Sequence, residues 1–329
     1  MSSAGLTVGG RALRRPAIRI AGGTVVTALL LGVLIIVDLI LQPGLANVMQ
    51  IGLLVQTALP LVLVAAAQTL ALLVRGIDLS VGGVFAVANV MTAVWVGSTG
   101  GAHQLLLFAV LAAGLVMGAI NGILIALLDF QPFIATLGTW TAYSGIALMI
   151  LHSDGGAVPQ ALTNTINGTL FGIPASIVIV LAVLLVWRVL RTSRFGTQMY
   201  AVGDDEERAR LNGTHVRLVR LAVYGLAGLF AAAGGMLLAA VTSTGSPTAG
   251  DAYILLSISA VVIGGTSLMG GSGGVGLSIM GAFALILISD IAAGLNLDVW
   301  VPVAAAALLL LVMVASRALV DGRLQKRAS

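Results

Sequence analysis

From residue 18 to residue 320 the chain is a near-continuous series of apolar runs, each long enough to cross a bilayer. A helical crossing takes about 20 apolar residues for roughly 30 Å of hydrocarbon. Only 9% of the 329 residues are charged and 59% are hydrophobic, whereas a soluble domain carries about 25% charge. Such a chain cannot present water with a polar surface all round. Breakers divide it into ten runs: 18–41, 51–74, 79–97, 103–128, 132–151, 173–190, 217–242, 252–268, 274–296 and 299–320. Gln42-Pro43-Gly44 ends the first, Pro60 sits inside the second, and Pro132 opens the fifth in its first turn. The fold expected is all-α, with ten transmembrane helices. Residues 18–320 form the membrane domain, flanked by cytoplasmic tails at 1–17 and 321–329. The run from Ile20 to Leu41 exceeds the roughly 7–15 residues of a signal-peptide core and reads as an uncleaved helix.

Charge tests that count independently. With the N-terminus inside, all 16 basic residues fall in inner segments, as the positive-inside rule requires. They are Arg11, Arg14, Arg15 and Arg19, then Arg75, then seven arginines from Arg188 to Arg220, and finally Arg317, Arg323, Lys326 and Arg327. The outer loops hold Asp154, Asp251 and Asp298 and no base. Sixteen bases spread so thinly make no nucleic-acid surface.

Several chemistries are excluded. Without cysteine there is no disulfide, thiolate nucleophile or Cys-ligated zinc. The only lysine is Lys326, so no phosphate-binding G-x-x-x-x-G-K-[ST] loop exists, and any ATP-driven movement needs another chain to hydrolyse ATP. Gly271, Gly273 and Gly276 match G-x-G-x-x-G, but they join two apolar runs rather than a strand and a helix, and read as a tight inner turn. His152-Ser153-Asp154 has triad residue types in adjacent positions that do not suit triad geometry. Gly114, Gly118 and Gly122 recur every fourth residue, the spacing that lets membrane helices pack closely.

The largest inner loop, 192–217, contains Gly203-Asp204-Asp205-Glu206-Glu207-Arg208-Ala209-Arg210 and then Gly213. Asp204 is placed to cap a short helix, acids fill its first turn, and Gly213 is placed to end it. A helix standing outside the bilayer there is either a partner-docking element or a solvated connector. Asp78 and Ser80 are placed to cap the third helix, and Arg75 lies close enough to pair with Asp78. Asp38 and Asp290 fall near the outer ends of their runs. The fifth run is richest in polar groups. Thr136, Thr139, Trp140, Tyr143 and Ser144 share a face by i, i+3 and i+4 spacing, and Asn89 and Thr92 can join them. These side chains suit either a neutral polyhydroxylated cargo or interhelical hydrogen bonding.

Glu207-x-Ala209-x-x-x-Gly213 resembles the EAA-type loop of ABC-importer permeases, which docks into an ATP-binding subunit. Four further stretches resemble the ribose-type sugar permease family. They are Gly76-Ile77-Asp78-Leu79-Ser80-Val81-Gly82, the segment from Gln131 to Thr139, Arg194-Phe195-Gly196 with Ala201-Val202-Gly203, and the segment from Val261 to Leu268. With Asn121-Gly122 they occur in the family's order. Gly203-Asp204-Asp205 stands where the family usually has Gly-Gly-Asn, Arg208 where it has Ala, and Ser257 where it has Asp.

The resemblance implies the ten-helix, vitamin B12-like (type II) importer fold in a bacterial inner membrane. It implies a permease dimer, homo- or heteromeric, with ATP-binding subunits below that hold ATP and Mg and an extracytoplasmic solute-binding protein above. This chain itself would carry no cofactor and no catalytic residue. Its ATPase-coupling residues would be Gly203 to Arg210 with Gly213, and a sugar-like solute would pass the polar face of the fifth run. Nucleosides, quorum signals and branched-chain amino acids remain alternative cargo. An ion-coupled secondary transporter and a non-transporting membrane subunit remain alternative classes.

Overall fold

The computed structural model describes residues 17–96, 103–298 and 300–326. The expected N-terminal tail up to residue 16, the end of the third run at 97 and the start of the tenth at 299 lie outside the described residues. Among the described residues there are thirteen helices: α1 (Ala17–Leu41), α2 (Val48–Leu73), α3 (Ser80–Met91), α4 (His103–Ala126), α5 (Pro132–Ile150), α6 (Gln160–Asn167), α7 (Ala175–Thr192), α8 (Arg194–Asp204), α9 (Glu206–Leu211), α10 (Val216–Thr242), α11 (Ala249–Gly264), α12 (Val275–Gly294) and α13 (Trp300–Lys326). Six of them, α2, α4, α5, α7, α10 and α12, are long and apolar enough to cross a membrane. Four shorter apolar segments, Val25–Leu41, Ser80–Val96, Ala249–Gly264 and Trp300–Met313, occupy the remaining predicted runs.

With the π-helical turn Thr92–Val96 counted as the continuation of α3, two boundaries depart from expectation by more than three residues. α11 stops at Gly264 rather than 268 because Gly265 takes φ +106°, a left-handed C-cap whose N–H returns to Val261 and Val262. α13 continues to Lys326, past the expected end at 320. Among the described residues three short α-helices, α6, α8 and α9, and a 3₁₀ turn at Pro43–Ala46 lie outside the ten runs.

The core is built round α2. Every residue from Ala58 to Leu73 is buried, as a helix apolar on all sides requires, and Pro60 lies within the helix without ending it. α4 and α10 meet backbone to backbone. A Cβ at Gly118 would stand 2.2 Å from the Tyr224 carbonyl oxygen, and one at Gly228 would stand 2.2 Å from that of Gly114. Gly122 completes the seam against Leu221, so the four-residue spacing does serve close packing.

The polar stretch after α5 is an ordered cap. It holds α6 and a two-residue hairpin, β1 (Thr169–Leu170) with β2 (Ile173–Pro174). Gly155 and Gly245 exchange backbone hydrogen bonds at 2.9 and 2.8 Å, and Ala157 N–H donates to the Ala93 carbonyl. His152, Ser153 and Asp154 are exposed within it.

The segment after α10 is the main surprise. Sequence places Asp251 in an outer loop. Instead the chain turns back at Ser243 (φ +58°) and runs down beside α3. Ser246 N–H donates to Asn89 Oδ1 at 2.7 Å. Gly250 packs so tightly on Gly82 that a Cβ would lie 1.9 Å from the Gly82 oxygen. α11 therefore begins inside the bundle, which accounts for its 16-residue length. Irregular backbone at such a depth survives because protein, not lipid, satisfies it.

Candidate functional site

At the arginine-rich end, Ser193 caps α8 by accepting from the Gly196 N–H at 3.1 Å. The single helix expected from 204 to 213 is two pieces. Asp204 is the last residue of α8, and Asp205, extended at φ −154°, caps α9 by accepting from Arg208 N–H at 3.0 Å. The neighbouring acid thus takes the role assigned to Asp204. Gly213, at φ +81°, ends the element as expected: its N–H reaches Arg210 O, and Thr214 N–H reaches Ala209 O.

The element divides into seat and display. Gly203 and Ala209 are buried against the protein's own body. A Cβ at Gly203 would fall 1.7 Å from the Leu73 oxygen, so no other residue fits there. Glu206 pairs with Arg220 of α10 at 2.6 Å. The Tyr200 hydroxyl donates to the Gly273 carbonyl at 2.6 Å. Burial pushes that phenol above its ordinary value, with Arg191 acting weakly the other way, so it stays a donor at neutral pH. Displayed to the outside are Asp204, Glu207, Arg208, Arg210 and Gly213, together with Leu211 at 80% exposure. Sequence reading passed over Leu211; the signal available was a leucine closing a six-residue helix made otherwise of acids, arginines and one alanine.

Arg75 and Asp78 do not pair. Arg75 Nε donates to the Gly203 carbonyl at 2.8 Å, and its terminal nitrogen donates to the Asp204 carbonyl. Asp78 turns inward and accepts from the Ser80 N–H at 2.9 Å and hydroxyl at 2.6 Å, so it satisfies the first N–H of α3 from the residue before the N-cap, Leu79, whose own side chain makes no capping bond. The loop 265–274 packs on the same junction, with Gly271 N–H donating to the Leu73 carbonyl. Gly271 and Gly273 adopt φ +67° and +116° in that turn, which follows a helix and not a strand.

On α5 the polar residues separate into two groups. Thr136 accepts from Leu79 N–H and donates within its own helix to the Pro132 carbonyl. Thr139 donates to Asn121 Oδ1 at 2.7 Å, and Tyr143 donates to the Met117 carbonyl. Asn89 spans α10 and the turned-back segment, and Thr92 bonds back to the Ala88 carbonyl. The Ser144 hydroxyl is buried with no hydrogen-bond partner. Asn89, Thr92, Thr136 and Tyr143 are buried and Thr139 is half-buried, and each is engaged in hydrogen bonds within or between helices. Trp140 differs. Its indole N–H donates to Asp251 Oδ1 at 3.2 Å on an exposed surface. Trp140 lies about 12 Å along a helix about 28 Å long, so the pair sits near mid-depth. Around it α5 shows Leu137, Gly138, Thr141, Ala142 and Gly145, all exposed. Asp251 was missed as a site residue because its flanks, Gly-Ser-Pro-Thr-Ala-Gly, read as an ordinary loop.

Asp38 and Asp290 are held together rather than reaching an interface separately. The Gln42 amide nitrogen lies 3.2 Å from Asp38 Oδ1 and 3.1 Å from Asp290 Oδ2, tying the ends of α1 and α12.

A stack of apolar helices, a mid-depth polar pair and a charged element protruding from one end define a transport subunit. Residues 49–317 match the family described as branched-chain amino acid transport system / permease component, and the chain belongs to that family. It is an ABC permease and a multi-pass membrane protein, and carries out no covalent chemistry itself. It is 36% identical over 272 residues to the ribose import permease protein RbsC of Bacillus subtilis (strain 168), covering 80% of this chain and 82% of that one. It is 36% identical over 246 residues to the fructose import permease protein FrcC of Rhizobium meliloti, covering 71% and 67%. The galactofuranose transporter permease protein YtfT of Escherichia coli (strain K12) is 36% identical over 234 residues, covering 69% and 67%. No solved structure matches the chain.

Proposed function

We propose that this chain forms the translocation path of an ABC importer for a sugar or similar small polar solute. The observation that carries the reading is α8–α9. It is a short charged element, seated on the permease by Gly203, Ala209 and Arg220, that displays Leu211 with Glu207, Arg208 and Arg210 to a partner. A separate ATP-binding subunit, holding ATP and Mg, docks there. Ten spans then place both termini and the 192–217 loop on the cytoplasmic side of a bacterial inner membrane, in keeping with the distribution of the 16 basic residues. The arrangement is that of a type II importer: two permease subunits enclose the path, and a solute-binding protein delivers from the other face.

The names of the relatives favour a sugar. Trp140 and Asp251 agree with that class, since a carboxylate accepts hydroxyl protons and an indole face packs on a sugar's C–H face. The exposed face of α5 lines the path. Uptake of labelled ribose and fructose into vesicles containing this chain, its ATPase and its binding protein tests the proposal. Uptake should require hydrolysable ATP and survive collapse of proton and sodium gradients. Ion-driven uptake without the ATPase would refute it.

A further inference from the structure

Arg75 occupies a position that side chains ordinarily avoid. Its N–H bonds the Leu72 carbonyl at 3.0 Å and the Gly76 N–H bonds that of Ala71 at 2.9 Å, the paired closure of a helix end that usually carries glycine. Here the left-handed residue is arginine, at φ +63°. Its Cβ is a penalty that glycine would not bear. What the arginine side chain supplies is a two-point grip on the Gly203 and Asp204 carbonyls. These form the negative end of α8, immediately before Asp205 caps α9.

The far end of the same loop grips α4 and α5. Asp78 holds Ser80, the Ser80 Oγ accepts from Asn121 Nδ2 at 2.6 Å, and Asn121 Oδ1 accepts from Thr139 at 2.7 Å. Leu79 N–H donates to Thr136 Oγ1 at 3.1 Å, while the Thr136 proton goes to the Pro132 carbonyl within α5. Gly76 is packed beneath the Tyr224 hydroxyl, where a Cβ would lie 2.0 Å from the oxygen, so the loop has no room to give. One six-residue segment thus joins the protruding element to the helix that carries Trp140.

We propose that the Arg75–Ser80 loop is the relay through which displacement of α8–α9 reaches α5, with Arg75 as the positioning residue that couples ATP hydrolysis to transport. This rests on the reading of α8–α9 as the ATPase seat. A wire of contacts proves no coupling by itself, so the test must read coupling directly. In vesicles containing the whole complex, Arg75→Gly removes the left-handed strain and should leave thermal unfolding undiminished and the ATPase bound. Solute moved per ATP hydrolysed should fall at least fivefold. Arg75→Lys offers a point charge instead of a planar fork and should recover only part of that ratio. Asn121→Leu, which cuts the far end, should give the same phenotype, and the double variant should be no worse than either single one. An unchanged ratio in Arg75→Gly, or additive losses in the double variant, would overturn the relay. Spin labels at Thr197 and Thr141 give a readout independent of turnover: their separation should respond to ATP in the parent and not in Arg75→Gly. A response that persists also overturns it. The docking premise is tested apart, by ATPase binding to Leu211→Asp. Retained binding refutes the premise whatever the ratio does.

Discussion

A methyl group added at Gly118 would lie 2.2 Å from the Tyr224 oxygen, whereas one added at Gly138 would meet nothing within 4 Å, although both glycines lie in apolar helices. Gly118→Ala should therefore force α4 and α10 apart at a cost of roughly 1–3 kcal/mol, seen as a lowered unfolding temperature in detergent. Gly138→Ala should leave that temperature unchanged. At the polar pair, Trp140→Ala and Asp251→Asn should each cut solute uptake about tenfold or more, the loss of a hydrogen bond or ring contact to the passing solute being worth on the order of 1–3 kcal/mol. Assembly with the ATPase should persist, and wild-type uptake in both variants would remove the pair from the path. Trp140 stood out in the sequence because aromatic and hydroxyl groups in an apolar run are conspicuous. Thr136 and Thr139 stood out equally. What separates them from Trp140 is the neighbour each meets, Leu79 and Asn121 against Asp251, and spacing on one helix carries no information about neighbours.

At the scale of elements, capping chemistry could be read closely but not to the residue. Adjacent acids at 204 and 205 are chemically equivalent caps, and what selects Asp205 is its extended backbone, two residues after the tight approach of Gly203 to Leu73. The start of α11 was legible along the chain, at 252 against 249, but its depth was not. Gly, Ser, Pro and Thr mark a break in a helix whether the break lies in water or between helices, so hydropathy cannot distinguish an outer loop from a turned-back one. For α9 the expected outcome is concrete. Leu211→Asp should weaken ATPase binding at least tenfold in a co-purification titration while leaving the permease's stability within about 0.5 kcal/mol, as for an exposed site. Glu206→Gln removes a partly exposed pair with Arg220 and should cost under about 1 kcal/mol.

Across the whole molecule, the uneven placement of arginine was the most informative sequence signal, because it depends on the bilayer's electrostatics and not on the details of packing. It predicts sidedness directly. The chain has no cysteine, so Ser153→Cys should react with an impermeant thiol reagent in intact cells. Thr197→Cys should react only after the membrane is opened; the reverse pattern would invert the topology.

The glycine seam between α4 and α10 bears on how such a molecule can move. Where side chains interdigitate, two helices can slip by exchanging rotamers. Where carbonyl oxygens rest on glycine Cα atoms, no rotamers remain to exchange, and a shift must be taken by the backbone itself. α4 and α10 therefore have the kinematics of a single rigid body. In an alternating cycle this pair would translate and tilt as one piece, leaving relative motion to contacts made through side chains elsewhere in the bundle.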